Sequence, residues 1–354
     1  MCADGKNEGM ALKHADHKDS PVRAYVLNST GVLELNRPKA LNSLNHEMVD
    51  IIDQALSEWE TDDAIHRVVI YTESNKGFCA GGDVRAAREH ILAGEEERAD
   101  AYFVEEYAMN NRIATFPKPY VALIDGVVMG GGLGVSVHGS HRVISERAFG
   151  AMPEMAIGYI PDVGVPFVLQ RVGQASLALA NFVVLTGWRL SAADLLWTGI
   201  ATDVVHSEHM QLFREMLIAE DIDDALERYG TELEEESELA KWAEDIEATF
   251  AGPSFAEIEQ AVAQHPNEKF RELVAQHFAA ASPSALVAAA ELMAASAKCT
   301  TVRQELDLEI TLGEYVRRLP DFVEGVRAVL VDKDRQPNFP PAVDVAEVRA
   351  ALRQ

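Results

Sequence analysis

Apolar and polar positions alternate along Val22–Leu27, with Val22, Ala24 and Val26 on one side, and a second apolar run follows at Val32–Leu35. That period of two, broken by the turn residues Asn28-Ser29-Thr30-Gly31, predicts a hairpin that begins a sheet. From His46 to Trp59 the period lengthens. Met48, Ile51, Ile52, Ala55, Leu56 and Trp59 share one helical face, and Asn45 is placed to cap it. Val68–Tyr71, Tyr120–Ile124 and Arg142–Ser145 read as further strands, with helical patterns between them at about Glu97–Thr115 and Gly132–His138. Strands alternating with helices predict an α/β core of stacked β-β-α units.

Beyond about residue 206 the pattern is almost wholly helical. Asp223–Tyr229, Glu232–Phe250, Phe255–Gln264, Lys269–Ala281, Pro283–Cys299 and Thr301–Arg318 read as helices, and Pro337, Pro340 and Pro341 mark a loop before a short last one. The expected organisation is a polar extension over residues 1–20, a catalytic core over 21–206 and a helical C-terminal region over 207–354.

Charge narrows the partners. With 31 Lys and Arg against 57 Asp and Glu, the net charge of −26 speaks against a general nucleic-acid binder, whose affinity rests on neutralising phosphates. A phosphorylated small ligand stays compatible if basic residues cluster locally. The three cysteines Cys2, Cys79 and Cys299 have no zinc-like spacing and fit a reducing compartment. The first twenty residues are polar and mixed in charge, lacking the apolar core of a signal peptide and the acid-poor character of a transit peptide. No apolar run reaches membrane-spanning length. The expectation is a cytoplasmic protein without a membrane partner.

Three segments carry candidate chemistry. Lys76-Gly77-Phe78-Cys79-Ala80-Gly81-Gly82-Asp83 follows a strand, and Asp125-Gly126-Val127-Val128-Met129-Gly130-Gly131-Gly132 lies between a strand and a helix. Small residues there let backbone N–H groups approach a ligand, and a helix starting near Gly132 would aim its free N–H groups at the turn. Taken singly, each reads as a plain tight loop or as a ligand cradle. The third segment, Met152 to Asp162, sets Glu154 and Asp162 in an apolar run broken by Pro153, Gly158 and Pro161. Charges are kept out of such runs unless paired or used, and Pro161 opposes one smooth helix between them. Two carboxylates facing two N–H-rich turns would suit a substrate whose carbonyl oxygen becomes an oxyanion.

Competing motifs fail on spacing. A dinucleotide fingerprint from Gly130 would need a small residue where Val135 stands, and no phosphate-loop Gly-Lys-Ser/Thr is present. Gly134-Val135-Ser136-Val137-His138 ends in His138 where a nucleophile elbow has glycine, so Ser136 reads as a helix residue. His138 and His141 are too isolated from other ligand types to predict a metal site.

Leu35-Asn36-Arg37-Pro38-Lys39-Ala40-Leu41-Asn42, the Phe78–Asp83 turn, the Gly130–Gly132 turn and Pro153-Glu154 together resemble the crotonase (enoyl-CoA hydratase/isomerase) superfamily over roughly residues 22–206. Within it the chain resembles the 3-hydroxyisobutyryl-CoA hydrolases. Glu154 followed by Pro161-Asp162, the run Gly132–Gly139 and the C-terminal run Pro320–Asp334 carry that likeness. The resemblance implies an oxyanion hole from the N–H groups of Gly82 and Gly131. A hydratase of this superfamily carries a glutamate at the position of Gly134, so only Glu154 of the hydratase pair remains, with Asp162 added. The implied reaction is hydrolysis of a short acyl-CoA thioester, as in valine catabolism, with Glu154 as nucleophile or general base and Asp162 orienting it or the water. Ala40, Leu41, Ala80, Gly81, Asp83 and Val84 would hold the CoA, beside Arg37, Lys39, Arg85 and Arg88 as answers to its phosphates. Glu106 would reach the acyl group. CoA arrives as part of the substrate, so no separate cofactor is implied, and superfamily habit implies a homo-oligomer, often a trimer. A hydratase or isomerase of the same fold and a non-catalytic CoA-ester binder are the alternatives. Val165-Pro166-Phe167 stand where the hydrolases continue with glycines, which leaves the acyl group open.

Overall fold

The computed structural model describes residues 18–353, so most of the expected N-terminal extension lies outside the described residues. Among the described residues, nine strands form two sheets. The larger is β1 (Val22–Leu27), β2 (Thr30–Leu35), β3 (Arg67–Thr72), β5 (Tyr120–Ile124), β7 (His141–Ile144) and β9 (Asp203–Val204), adjacent in that order. The smaller is β4 (Gly77–Cys79), β6 (Val127–Met129) and β8 (Phe149–Ala151). Only β1 and β2 pair antiparallel, through the expected hairpin; every other pair is parallel. Strands β3, β5 and β7 each run directly into a strand of the small sheet, which gives the stacked β-β-α units.

The large sheet is buried on both faces, as parallel sheets are. Leu33, Ile70, Ala122 and Ile144 point into the main core. Their neighbours Val32, Val69, Val121 and Val143 point the other way, onto Phe213, Leu217 and Ile222. Helix α1 (His46–Glu60) starts where Asn45 accepts a hydrogen bond from the Met48 amide, 3.0 Å away.

Helices α2 (Val84–Leu92), α3 (Glu96–Ala114), α4 (Gly131–Gly134), α5 (Val165–Leu169), α6 (Leu177–Thr186) and α7 (Ala192–Trp197) complete the first part of the chain. Beyond it come α8 (Met210–Ala219), α9 (Ile222–Tyr229), α10 (Glu238–Phe250), α11 (Phe255–Gln264), α12 (Glu268–Phe278), α13 (Pro283–Ser296), α14 (Val302–Arg317), α15 (Pro320–Val326) and α16 (Val345–Ala351). Helix α14 packs against α3, and α15 packs against α2 and the turn carrying Glu154.

Three expectations need correction. The pattern Gly132–His138 holds only the four-residue α4, because glycines at 131, 132 and 134 favour helix poorly and the chain turns at once. The expected helix from Glu232 begins at Glu238, since Ser237 caps it and the acidic run before it stays non-helical. The three strands of the small sheet fall inside or beside segments read as glycine turns; each is three residues long, too short to show a period.

Candidate active site

The segment after β2 laces the first glycine turn in place. Asn42 is fully buried; its side chain donates to the carbonyl of Phe78 and accepts from the amide of Arg37. The Leu44 amide donates to Gly81 at 2.8 Å, the Asp83 amide donates back to Leu44 at 2.7 Å, and the Ala80 amide donates to Leu41 at 3.0 Å. Gly81 adopts φ +111° and Gly130 φ +45°, conformations that glycine takes without strain. These turns bring Gly82 and Gly131 together: a β-carbon on Gly131 would stand 3.1 Å from the Gly82 nitrogen. Neither N–H is consumed by the loop, turn and cap hydrogen bonds around it. Two free backbone donors therefore face one space.

That space is a cavity of about 340 Å³ lined by Gly82, Gly131, Glu106, Glu154, Asp162 and Arg335, among others. Glu154 opens a single 3₁₀ turn, Glu154–Ile157, closed by Gly158 at φ +68°. Its Oε2 is buried and has no hydrogen-bond partner among the described residues, which leaves it open to a ligand. Asp162 follows the Pro161 bend and accepts a 2.7 Å hydrogen bond from the Tyr107 hydroxyl. The residue after it, Val163, holds φ +55°, an unfavourable conformation for a β-branched side chain. Two bonds over-determine it: His138 donates from Nε2 to the Val163 carbonyl at 2.7 Å, and the Gly164 amide donates to Glu309 at 3.0 Å.

Burial governs the charge state here. It raises Glu154 well above the usual carboxylate range, and the neighbouring charge of Asp162 raises it further. Asp162 is raised by burial as well, opposed by the Tyr107 hydrogen bond and the positive charge of Arg317. Glu106 is pushed up to about 8, first by burial and then by Asp162. Burial and mutual repulsion thus hold all three carboxyl groups of this cavity above the ordinary carboxylate range, the condition in which such groups exchange protons near neutral pH.

A second hollow of about 510 Å³ adjoins the first and shares Ala80, Gly82, Val84 and Leu330 with it. Arg37, Ala40, Leu41, Asp83 and Arg85 line it, and Gly81 lines the inner cavity. Arg37 is fixed by an ion pair to Asp83 at 3.1 Å and a hydrogen bond to the Ser43 carbonyl. Lys39 lines neither space, and Arg88 is occupied with the carbonyl of Val323. Ser136 donates to the Gly132 carbonyl inside the core, and burial pushes His138 down to about 4, so both serve packing.

Residues 30–353 match the enoyl-CoA hydratase/isomerase family. The chain belongs to that family. Among curated members, the mitochondrial 3-hydroxyisobutyryl-CoA hydrolase of Gallus gallus is 38% identical over 343 residues, covering 94% of this chain and 88% of that protein. That of Homo sapiens is 39% identical over 350 residues, covering 95% and 89%. Among solved structures, a carnitinyl-CoA dehydratase from Mycobacterium thermoresistibile is 35% identical with a TM-score of 0.87, covering 94% of this chain and 96% of that one. An enoyl-CoA hydratase from Rhodobacter sphaeroides 2.4.1 is 33% identical with a TM-score of 0.84, covering 94% and 97%.

Several groups escaped the reading from sequence. Tyr107, Tyr159, Arg317 and Asp100 form a polar chain behind Asp162, while Val329, Leu330 and Arg335 wall the cavity from the C-terminal end. One signal was present: Tyr102, Phe103, Glu106, Tyr107 and Asn110 share the buried stripe of α3, and three polar types on such a stripe mark a used surface. Arg317 gave none, because a basic residue at a helix end reads as ordinary capping charge, and neither did Arg335, whose exposed irregular segment reads as solvated surface.

Proposed function

We propose that this family member hydrolyses a short-chain acyl-CoA thioester, 3-hydroxyisobutyryl-CoA first among them, releasing the free acid and CoA. One observation carries the choice of hydrolysis over hydration. Gly134 puts no glutamate at the position where a hydratase carries its second one, and leaves no room for it: a β-carbon there would stand 2.7 Å from Val163 and 2.9 Å from the Asn110 amide. The names of the curated relatives support the same reaction and substrate.

In this reading the thioester carbonyl oxygen lies between the N–H groups of Gly82 and Gly131, which hold the negative charge that develops on it. Glu154 takes a proton from water as the water oxygen bonds to the carbonyl carbon, with Asp162 orienting that water. The C–S bond then breaks, and the proton returns to the departing thiolate. In the covalent form, Glu154 attacks the carbonyl itself, CoA leaves, and water cleaves the resulting anhydride. Arg37 and Arg85 stand in the outer hollow where nucleotide phosphates would lie, Glu106 reaches the acyl end, and the reaction belongs in valine breakdown. Cys79 and Cys299 are free thiols, which supports a reducing compartment such as the cytoplasm, and a homo-oligomer is part of the same proposal.

Thiol release measured over a panel of short acyl-CoA esters tests this, with turnover of 3-hydroxyisobutyryl-CoA expected. Hydration of crotonyl-CoA without thiol release would favour the second reading, suggested by the names of the similar solved structures. Tight ester binding with no turnover of any kind would reduce the protein to a binder.

A further inference from the structure

Behind Asp162 runs a continuous line of buried hydrogen bonds that the catalytic scheme leaves unused. The Tyr107 hydroxyl lies 2.7 Å from Asp162 Oδ2, the two hydroxyls of Tyr107 and Tyr159 are 3.2 Å apart, and Arg317 Nη1 donates to Tyr159 at 2.6 Å. Tyr107, Tyr159 and Arg317 are all buried. The far end is anchored, because Arg317 also donates to Asp100 at 2.7 Å and lies over the Phe103 ring at 4.1 Å.

The proton inventory fixes the direction of this line. A guanidinium only donates, and an ionised carboxylate only accepts. Each phenol has one proton, and burial keeps both phenols protonated. With Arg317 at one end, Tyr159 must donate to Tyr107, and Tyr107 to Asp162. Every hydrogen bond therefore points its positive end at Asp162, and a buried chain of this kind strengthens each of its members.

We propose that Arg317, acting through Tyr159 and Tyr107, is a positioning residue that assigns the negative charge of the carboxylate cluster to Asp162. Glu154 then becomes the group that gains and loses the working proton. The inference rests on the reading of Glu154 and Asp162 as the hydrolytic pair. Asp162 is faced by Glu154 and Tyr159 of its own segment, by Glu106 and Tyr107 of α3, and by Glu309 and Arg317 of α14, with His138 bonded to the next residue. Among the described residues Arg317 is the cation whose charge acts on Asp162, while Arg335 stands exposed at the rim of the same cavity and His138 is held neutral by burial. The charge of Asp162 raises Glu154, so the two interact, and the line stabilises the ionised form of Asp162 and with it the fully ionised pair.

The test is the pH dependence of kcat/KM for thioester hydrolysis by the full-length protein and by Tyr107→Phe, Tyr159→Phe and Arg317→Lys. The phenylalanine variants keep the ring packing, and a thermal melt confirms the fold. Loss of the line raises the pKa of the pair, so the acidic limb should move up by about one pH unit, a hydrogen bond donated to the charged form of a carboxyl being worth that order. Activity near pH 6 then falls about tenfold relative to the alkaline plateau, as a one-unit shift requires. KM for the ester should hold, and Arg317→Lys, which keeps the charge, should shift the limb less than Tyr159→Phe. Superimposable profiles beside an inactive Glu154→Gln would overturn the relay alone. Near-native hydrolysis by Glu154→Gln would overturn the reading on which it rests.

Discussion

Glu106 Oε1 stands 2.5 Å from the point where a β-carbon on Gly131 would sit, so the carboxyl group fills the space that the missing side chain leaves. An alanine at 131 would push Glu106 aside and crowd the Gly82 nitrogen, 3.1 Å from the same point. Gly131→Ala should therefore lower kcat by about 100- to 1,000-fold, the usual cost of one oxyanion donor, while the ester still binds. Steady-state thiol release together with calorimetric titration of CoA separates the two effects.

The carboxylates make a sharper demand. Glu154→Gln and Asp162→Asn change one atom each and keep the shape of the cavity, so only their acid–base capacity goes. Each should lose about 100- to 10,000-fold in kcat, the range of a general acid or base. Rates close to native in both would sink the assignment.

Buried carboxyls also set how stability varies with pH. Glu106 is neutral in the folded protein until about 8, whereas its ordinary value is 4.5. Between those values the unfolded chain has released its proton and the folded chain has not. Raising the pH across that window therefore favours unfolding. Glu154, raised in the same direction, adds to the trend. Thermal melts at pH 5 and pH 8.5 should show the lower Tm at the higher pH, and Glu106→Gln should narrow the gap. An unchanged gap in that variant would exclude Glu106 as a contributor.

Restoring the absent hydratase glutamate should fail. A side chain at 134 meets the β-carbon of Val163, whose backbone is already held at φ +55°, and the Asn110 amide. Gly134→Glu should be destabilised by about 1–3 kcal/mol or more, as overpacked cores are, with a lower Tm and no hydration of crotonyl-CoA. Appearance of hydratase activity at native stability would show that the pocket yields more than its packing allows.

Arg37 offers a test of the outer hollow. Replacing it with alanine frees Asp83 and removes a cation from that wall. KM for an acyl-CoA ester should rise about tenfold, the order of one charge-assisted hydrogen bond, and kcat should stay near native. The increase should vanish for a thioester that lacks the nucleotide. An equal rise for both esters would place Arg37 away from the phosphates.

The hairpin and α1 were legible because each has a clean period and a turn or capping residue, and β3 and β5 because each is an unbroken apolar run of strand length. The glycine turns were legible as close approaches, yet the small sheet running through them was not, since Gly77–Cys79 offers only three positions. At the site, Glu154 and Asp162 stood out as charges in an apolar run. Tyr159 sits in that same run, but a tyrosine there reads as ordinary core. Arg317 was beyond reach for another reason: it lies 158 residues from its partner Tyr159, and no local pattern announces a contact at that separation.

Val329, Leu330 and Arg335 wall the cavity, although Glu154 and both glycine turns are made much earlier in the chain. Gly158, which closes the Glu154 turn, fits against the backbone of Asp321 so tightly that a β-carbon would stand 2.4 Å from its carbonyl oxygen. The order of synthesis therefore matters to this enzyme. A nascent chain that has emerged no further than Asp321 has its carboxylates and glycine turns but lacks this wall. The wall of the cavity opposite the glycine turns is complete only when the segment carrying Val329, Leu330 and Arg335 has folded against it.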